Sequence, residues 1–358
     1  MLRALLLIAL LLCRFAIAAD YVVGQTERSF TPKEARNWRG AEEHTLTTLI
    51  WYPVAPGTPV QHLDYGPPGK PIFRGLDIAH DAAPAKHGSG LPLLLLSHGT
   101  GGSAASMAWL GGALAAKGYV VAAVNHPGNT ALGALTPEGF SLWWERADDL
   151  KDVLDMVLAD PQLGKAIDDK RIGAVGFSLG GYTVLELAGA RTDRDAFSRF
   201  CHSPQADAIC SPPEIAASHV QDPLAGLPPS PETDASIARA GDSFRDPRVR
   251  AVFAIAPALG MAFNEQGLKS IAVPVEMLAG GADVTVPLPT NARRFAAQLP
   301  HARLSILPGA THYSFIDDCM DGALPALYCK EKPGVDRDAI HAQSIALAAA
   351  FFDKALVK

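Results

Sequence analysis

The hexapeptide Gly176-Phe177-Ser178-Leu179-Gly180-Gly181 constrains this chain most, because it stands where a strand pattern ends and a helical one begins. Arg171 to Gly176 reads as a short buried strand, and Leu179 to Ala190 as a helix directly after it. A chain passing from strand to helix without a loop must turn sharply, and its middle residue is held in a strained conformation. Small residues two before and two after Ser178 remove the clashes of such a turn. The Ser178 hydroxyl is thereby lifted above the sheet at a helix N-terminus. The bare G-x-S-x-G spacing arises by chance in Gly-rich chains, and a βα turn without chemistry would use the same residues. Its place between a buried strand and a helix is what gives it weight.

The surrounding sequence supplies the sheet. From about residue 90, apolar β-branched runs alternate with helical patterns, the mark of βαβ units and a parallel sheet. Strands are predicted at Leu91–Ser97, Tyr119–Asn125, Val249–Ala256, Val273–Ala279 and Arg303–Leu307. Helices are predicted after Ser103 (Met107, Leu110 and Leu114 on one face), from about Leu142 to Asp160, at Thr290–Leu299 and at Asp336–Leu356. Tyr21–Val23 and His44–Pro53 read as strands of an antiparallel leading edge. Two stretches break the alternation. Pro56 to Gly90, rich in Pro, Gly and His, reads as a long surface excursion. Arg191 to Pro247 carries many prolines with Cys201 and Cys210, and reads as an insertion capping the catalytic face. The expectation is a single α/β domain over 19–358: a mostly parallel sheet with helices on both faces and a cap at about 191–247.

Of 358 residues, 48% are apolar and 19% charged, enough for a sizeable core and against disorder. The net charge of −6, with no basic stripe, argues against nucleic acid as a partner. Arg3, the apolar run Ala4–Leu12 and the small-x-small Ala16-Ile17-Ala18 predict a signal peptide over residues 1 to about 18. The run is too short to span a bilayer. An uncleaved anchor is the alternative, as is a lipoprotein at Cys13, though Leu12 is bulky for that signal. No other segment reads as transmembrane, so a periplasmic or secreted protein without a stable membrane span is expected. Four cysteines remain: Cys201, Cys210, Cys319 and Cys329. An even number in an exported chain suggests two disulfides. Three connectivities are open, with Cys201–Cys210 and Cys319–Cys329 the easiest closures. A metal site is the rival, but no C-x-x-C or paired-histidine spacing accompanies them.

A serine hydroxyl is a poor nucleophile unless a base takes its proton. His312, in Pro308-Gly309-Ala310-Thr311-His312-Tyr313, follows the last predicted strand and so falls on the sheet edge from which Ser178 emerges. Asp283, in Ala279-Gly280-Gly281-Ala282-Asp283, follows the preceding strand. A carboxylate there can accept from the imidazole and fix its tautomer. A turn-forming Asp after Gly-Gly is the alternative, while Glu276 lies inside a strand and Asp317 beyond the histidine. The loop His98-Gly99-Thr100-Gly101-Gly102 follows a buried strand. It can aim a backbone N–H at an oxyanion, with the Leu179 N–H as second donor. Phosphate cradling is its rival, but neither the P-loop ending nor the G-x-G-x-x-G spacing occurs.

These residues, in the order Ser, Asp, His, resemble the α/β-hydrolase superfamily over roughly residues 45 to 356. Ser97-His98-Gly99, Asn125-His126-Pro127-Gly128 and Gly176-Phe177-Ser178-Leu179-Gly180-Gly181 look closer still to bacterial dienelactone-hydrolase-like and platelet-activating-factor-acetylhydrolase-like esterases. The resemblance implies an α/β-hydrolase fold, Thr100 and Leu179 as oxyanion donors, no cofactor or metal, and short or activated acyl esters as small-molecule substrates. Dienelactone hydrolases carry cysteine where this chain has Ser178, so lactone specificity is not implied. The expected activity is ester hydrolysis through an acyl-enzyme on Ser178. An amidase or peptidase with the same residues, and a non-catalytic binding module, are the alternatives.

Overall fold

Leu93 and Leu95 pack into one face of a central sheet and Leu94 and Leu96 into the other, and all four are fully buried. An unbroken apolar strand of this kind needs a layer on each side. Helices Glu145–Ala159 and Leu179–Leu187 cover the first face, and Ala108–Ala116 and Arg337–Ala355 cover the second. The computed structural model describes residues 20–34, 44–218, 227 and 229–357. Its strands are β1 (Val22–Phe30), β2 (Leu46–Val54), β3 (Gln61–Tyr65), β4 (Phe73–His80), β5 (Leu91–Ser97), β6 (Val120–Val124), β7 (Ile167–Phe177), β8 (Val249–Ile255), β9 (Val275–Gly280) and β10 (Ala302–Leu307). They form one sheet in the order β10-β9-β8-β7-β5-β6-β2-β1-β4-β3. From β10 to β6 every pairing is parallel. The antiparallel pairs β6–β2 and β2–β1 form the leading edge expected from the sequence.

Pro56–Gly90, read from its composition as a long surface excursion outside the strand–helix alternation, is part of the sheet. It contributes β3 and β4, and β4 runs parallel to β1 and extends the sheet. The reason is that these are the last two strands of the sheet, with β3 at its open edge, and both carry polar residues. His62 bridges Asp77 and Asp64 at 3.0 and 3.1 Å, so the pattern mimics a loop while charge guards the edge. Elsewhere the differences are at boundaries. β1 runs on to Phe30, and β7 begins at Ile167 rather than at Arg171. The helix expected from Leu142 begins at Glu145. Ser103 precedes a 3₁₀ turn, Ala104–Met107, and its side chain makes no capping bond.

Between helix Leu179–Leu187 and β8, the described residues form the short α-helices Arg194–Cys201, Pro213–Ser218 and Pro231–Ala238. The Cys201 and Cys210 sulfurs lie 2.02 Å apart in this segment. Arg239 pairs with the buried Glu145 at 2.7 Å, and the Trp144 indole N–H donates to the Ser236 carbonyl at 3.1 Å, docking the segment onto the domain. The Cys319 and Cys329 sulfurs lie 2.00 Å apart. Around Cys319 the chain pairs with the start of β4 through Arg74 N–H to Asp318 O (2.7 Å) and Met320 N–H to Ile72 O (2.8 Å). The signal peptide expected at 1–18 lies outside the described residues. Among the described residues no helix is long and apolar enough to cross a membrane.

Candidate active site

Strand β5 is flanked by β6 on one side and β7 on the other, so the chain reverses its direction of travel across the sheet there. In open parallel sheets a crevice opens at the carboxyl ends of strands at such a switch point. Ser97, which ends β5, sits beside Gly176 of β7, bringing the Gly-rich loop and the Ser178 turn together. Ser178 has φ +55° and ψ −117°, a strained conformation for a residue with a side chain. A methyl group on Gly176 would lie 2.1 Å from the Gly180 carbonyl oxygen, and one on Gly180 would lie 1.9 Å from that of Ser97. Both glycines are therefore required for the approach.

His312 opens a 3₁₀ turn, His312–Phe315, just beyond β10, and Asp283 follows β9. His312 Nε2 lies 2.9 Å from Ser178 Oγ, and His312 Nδ1 lies 2.8 Å from Asp283 Oδ2. Asp283 Oδ1 accepts from the backbone N–H groups of Thr285 (3.0 Å) and Val286 (2.8 Å), which fixes the carboxylate plane. All three residues are buried, and the Phe177 ring lies 4.9 Å from the imidazole. Burial alone would push the His312 imidazole down. The Asp283 carboxylate, with Glu214 farther off, more than offsets this and holds it above the ordinary imidazole range.

Two cavities meet at Ser178. The larger, about 680 Å³, lies between the Gly-rich loop, the β3–β4 hairpin and the loop closed by Cys319 and Cys329. The smaller, about 40 Å³, is walled by Phe197, Ile209 and Leu259 beside Leu179 and His312. Thr100, Ser178 and Glu214 line both. Among the described residues neither the Thr100 nor the Leu179 N–H is taken up by a hydrogen bond within the chain. No group of three or more metal-ligating side chains occurs among the described residues.

The predicted residues Ser178, Asp283, His312, Thr100 and Leu179 thus come together at one edge of the sheet. Of the residues around them, Glu214, Arg146 and Asn129 carry no recognisable sequence signal, whereas His126 belongs to the Asn125-His126-Pro127-Gly128 motif. Glu214, inside the proline-rich insertion, accepts from the Tyr313 hydroxyl at 2.7 Å and faces both cavities. Beneath the Gly-rich loop, Arg146, Asn129 and His126 form a buried polar layer.

A family model described as "Alpha/beta hydrolase family" matches residues 93–323. The chain is 37% identical over 87 residues to Lipase 1 of Moraxella sp. (strain TA144), covering 24% of each protein. It is 35% identical over 105 residues to Cutinase est1 of Thermobifida alba, covering 29% of this chain and 32% of that protein. The matched stretch thus spans a third or less of these curated relatives. Among solved structures, the ferulic acid esterase from Streptomyces cinnamoneus superposes with a TM-score of 0.64 at 21% identity, over 95% of this chain and 91% of that one.

Proposed function

Since the chain belongs to the α/β-hydrolase family, we propose that it hydrolyses carboxylic esters through an acyl-enzyme on Ser178. What carries the reading is the unbroken line of hydrogen bonds from Asp283 through His312 to Ser178, built on a strained strand-to-helix turn. His312 Nε2 takes the Ser178 proton as Oγ bonds the ester carbonyl carbon. The carbonyl electrons move onto oxygen, which the Thr100 and Leu179 N–H groups hold. Collapse expels the alkoxide, which takes the proton from His312 and leaves as the alcohol. Water then attacks the acyl group by the same route and releases the acid. The names lipase and cutinase borne by the sequence relatives favour an ester over an amide.

The unequal cavities argue for an asymmetric ester. About 40 Å³ takes only a few heavy atoms, whereas about 680 Å³ takes a bulky group. Part of the wall of the smaller space comes from Cys210, Pro212, Glu214 and Ile215, which is how the 191–247 segment acts as a cap. The paired cysteines favour an oxidising, exported setting. A fluorophosphonate probe should label the wild type and not Ser178→Ala, and p-nitrophenyl esters should outpace the matching anilides. Esters bulky on both sides should be slower than those bulky on one side only. Labelling retained in Ser178→Ala would end the assignment, and anilides turned over as fast as esters would move it to an amidase.

A further inference from the structure

The segment Asn125-His126-Pro127-Gly128-Asn129 takes no part in the chemistry above, yet its side chains are buried directly under the Gly-rich loop. In a trans peptide the C=O and the following N–H point in opposite directions, so fixing the Gly99 carbonyl fixes the Thr100 N–H. The Gly99 oxygen accepts from His98 Nδ1 at 2.7 Å and from the Gly102 N–H at 3.2 Å. The His98 ring is set in turn, because its Nε2 accepts the His126 backbone N–H at 3.3 Å. On the other side of Thr100, the Gly101 N–H donates to Asn129 Oδ1 at 2.8 Å.

Arg146 ties the two sides together. Its Nη2 donates to the His98 carbonyl and, at 3.1 Å, to Ser97 Oγ, while its Nη1 donates to Asn129 Oδ1 at 3.3 Å. The Asn129 amide is held the right way round by Nδ2 donating to the Gly139 carbonyl at 3.0 Å. Ser97 Oγ lies 2.9 Å from His126 Nε2, and His126 Nδ1 lies 2.7 Å from Asp149 Oδ2. This is a second Ser–His–Asp line, but it is wholly shut off from both solvent and cavities. With Arg146 donating to its serine oxygen, it serves to balance a buried cation against a buried carboxylate.

We propose that Asn129 and Arg146 are positioning residues that hold the Thr100 N–H in the geometry of the tetrahedral intermediate. The inference rests on the acyl-transfer reading above. Removing one oxyanion donor outright typically costs 10²–10³ in kcat, and a donor that is loosened rather than lost should cost less. Asn129→Leu keeps the side-chain volume and loses the acceptor for Gly101. It should lower kcat by about 10- to 100-fold with little change in KM. Asn129→Asp keeps the acceptor and should recover most of the loss. Arg146→Lys keeps the charge but cannot reach both Asn129 and the His98 carbonyl, and it carries the test should Asn129→Leu not fold.

The distinguishing readout is inhibition by phenylboronic acid, whose trigonal boron takes the Ser178 oxygen and becomes a tetrahedral anion. Across the folded variants its Ki should rise in proportion to the fall in kcat/KM, while the pH midpoint of the acid limb stays put. A folded Asn129→Leu or Arg146→Lys with wild-type kcat would overturn the inference. So would a loss of kcat with unchanged boronate affinity. A wild type that turns over no ester removes the acyl-transfer reading itself, so the two failures are told apart.

Discussion

The sharpest test of the site is Asp283→Asn, because the surroundings of that carboxylate dictate which way the new amide must point. Asp283 Oδ1 receives two backbone N–H donors, from Thr285 and Val286. An amide NH₂ placed there would face two donors, so the amide oxygen takes that side. Its NH₂ then faces His312 Nδ1, where the carboxylate Oδ2 now lies 2.8 Å away. The imidazole must turn that nitrogen into an acceptor and carry its proton on Nε2. Nε2 is the atom 2.9 Å from Ser178 Oγ, and once protonated it cannot take the hydroxyl proton. The substitution leaves volume and fold nearly unchanged but puts the base in the wrong tautomer. Such a change lowers kcat by about 10⁴, or about 5.4 kcal/mol at 1.36 kcal/mol per decade. Steady-state hydrolysis of a p-nitrophenyl ester measures it, with thermal unfolding as the control for folding. An enzyme within tenfold of wild type, with an unchanged melting temperature, would mean that another group orients His312.

Three further outcomes are expected. The acid limb of kcat/KM should fall above the ordinary imidazole value, since only the unprotonated His312 can act as base, and Glu214→Gln should move it to lower pH by removing a carboxylate that favours the imidazolium; a limb that stays in place would exclude Glu214 from that role. Glu186 is buried against Tyr182 and Thr192, and burial pushes its carboxyl up to about 8, so the folded state holds a proton that the unfolded chain releases near 4.5. Stability should therefore drop by up to about 5 kcal/mol as pH rises from 4.5 to 8 and then level off; Glu186→Gln should flatten that slope, and parallel pH–stability curves for the two proteins would refute the assignment. A bridge between Cys319 and Cys329, whose sulfurs lie at bonding distance, would close a separation of 10 residues, for which chain entropy gives roughly 2.7 kcal/mol; the Cys319→Ser/Cys329→Ser double variant should melt a few degrees lower, and peptide mapping that joins either residue to Cys201 or Cys210 would refute the pairing.

The sheet was legible where burial on both faces forced a continuous apolar signal, and illegible where it did not. Leu91–Ser97 packs on both faces, and its sequence boundaries agree with β5 to the residue. β3 is an edge strand of the sheet, and β4 between it and β1 meets β1 only at Gly24 and Gln25, so polar residues such as His62 and Asp77 are tolerated there. Their sequence looks like a loop because an edge strand lacks the packing constraint that makes a strand recognisable. β7 shows both regimes within one element. Its apolar half, from Ile172 to Phe177, is buried, and its first residues, Ile167 to Arg171, are wetted and charged.

The site divides along a similar line. Ser178, His312 and Asp283 were legible because chain connectivity alone places them: each follows a strand of the same parallel set, and all such strands end at one edge of the sheet. Asn129, Arg146 and Glu214 are joined to the site by contacts between distant segments. Arg146 reaches His98 across 48 positions, and Glu214 meets Tyr313 across 99. Nothing local in the sequence marks these contacts. A buried Arg146 on a helix face would ordinarily be assigned to solvent, because an unpaired charge is expensive to bury. That cost gives the layer its meaning. Nearby acceptors from Ser97, His98 and Asn129 compensate the guanidinium, and the first two of these end β5 and begin the loop that carries the Thr100 N–H. Removing the cation alone leaves the Asp149 carboxylate buried without it, so an apolar replacement of Arg146 should cost stability whichever role the guanidinium plays. In Arg146→Met both roles therefore predict a lower melting temperature, and they part in the kcat of the protein that remains folded: a purely structural cation predicts a wild-type value, one that fixes the peptide plane a reduced value.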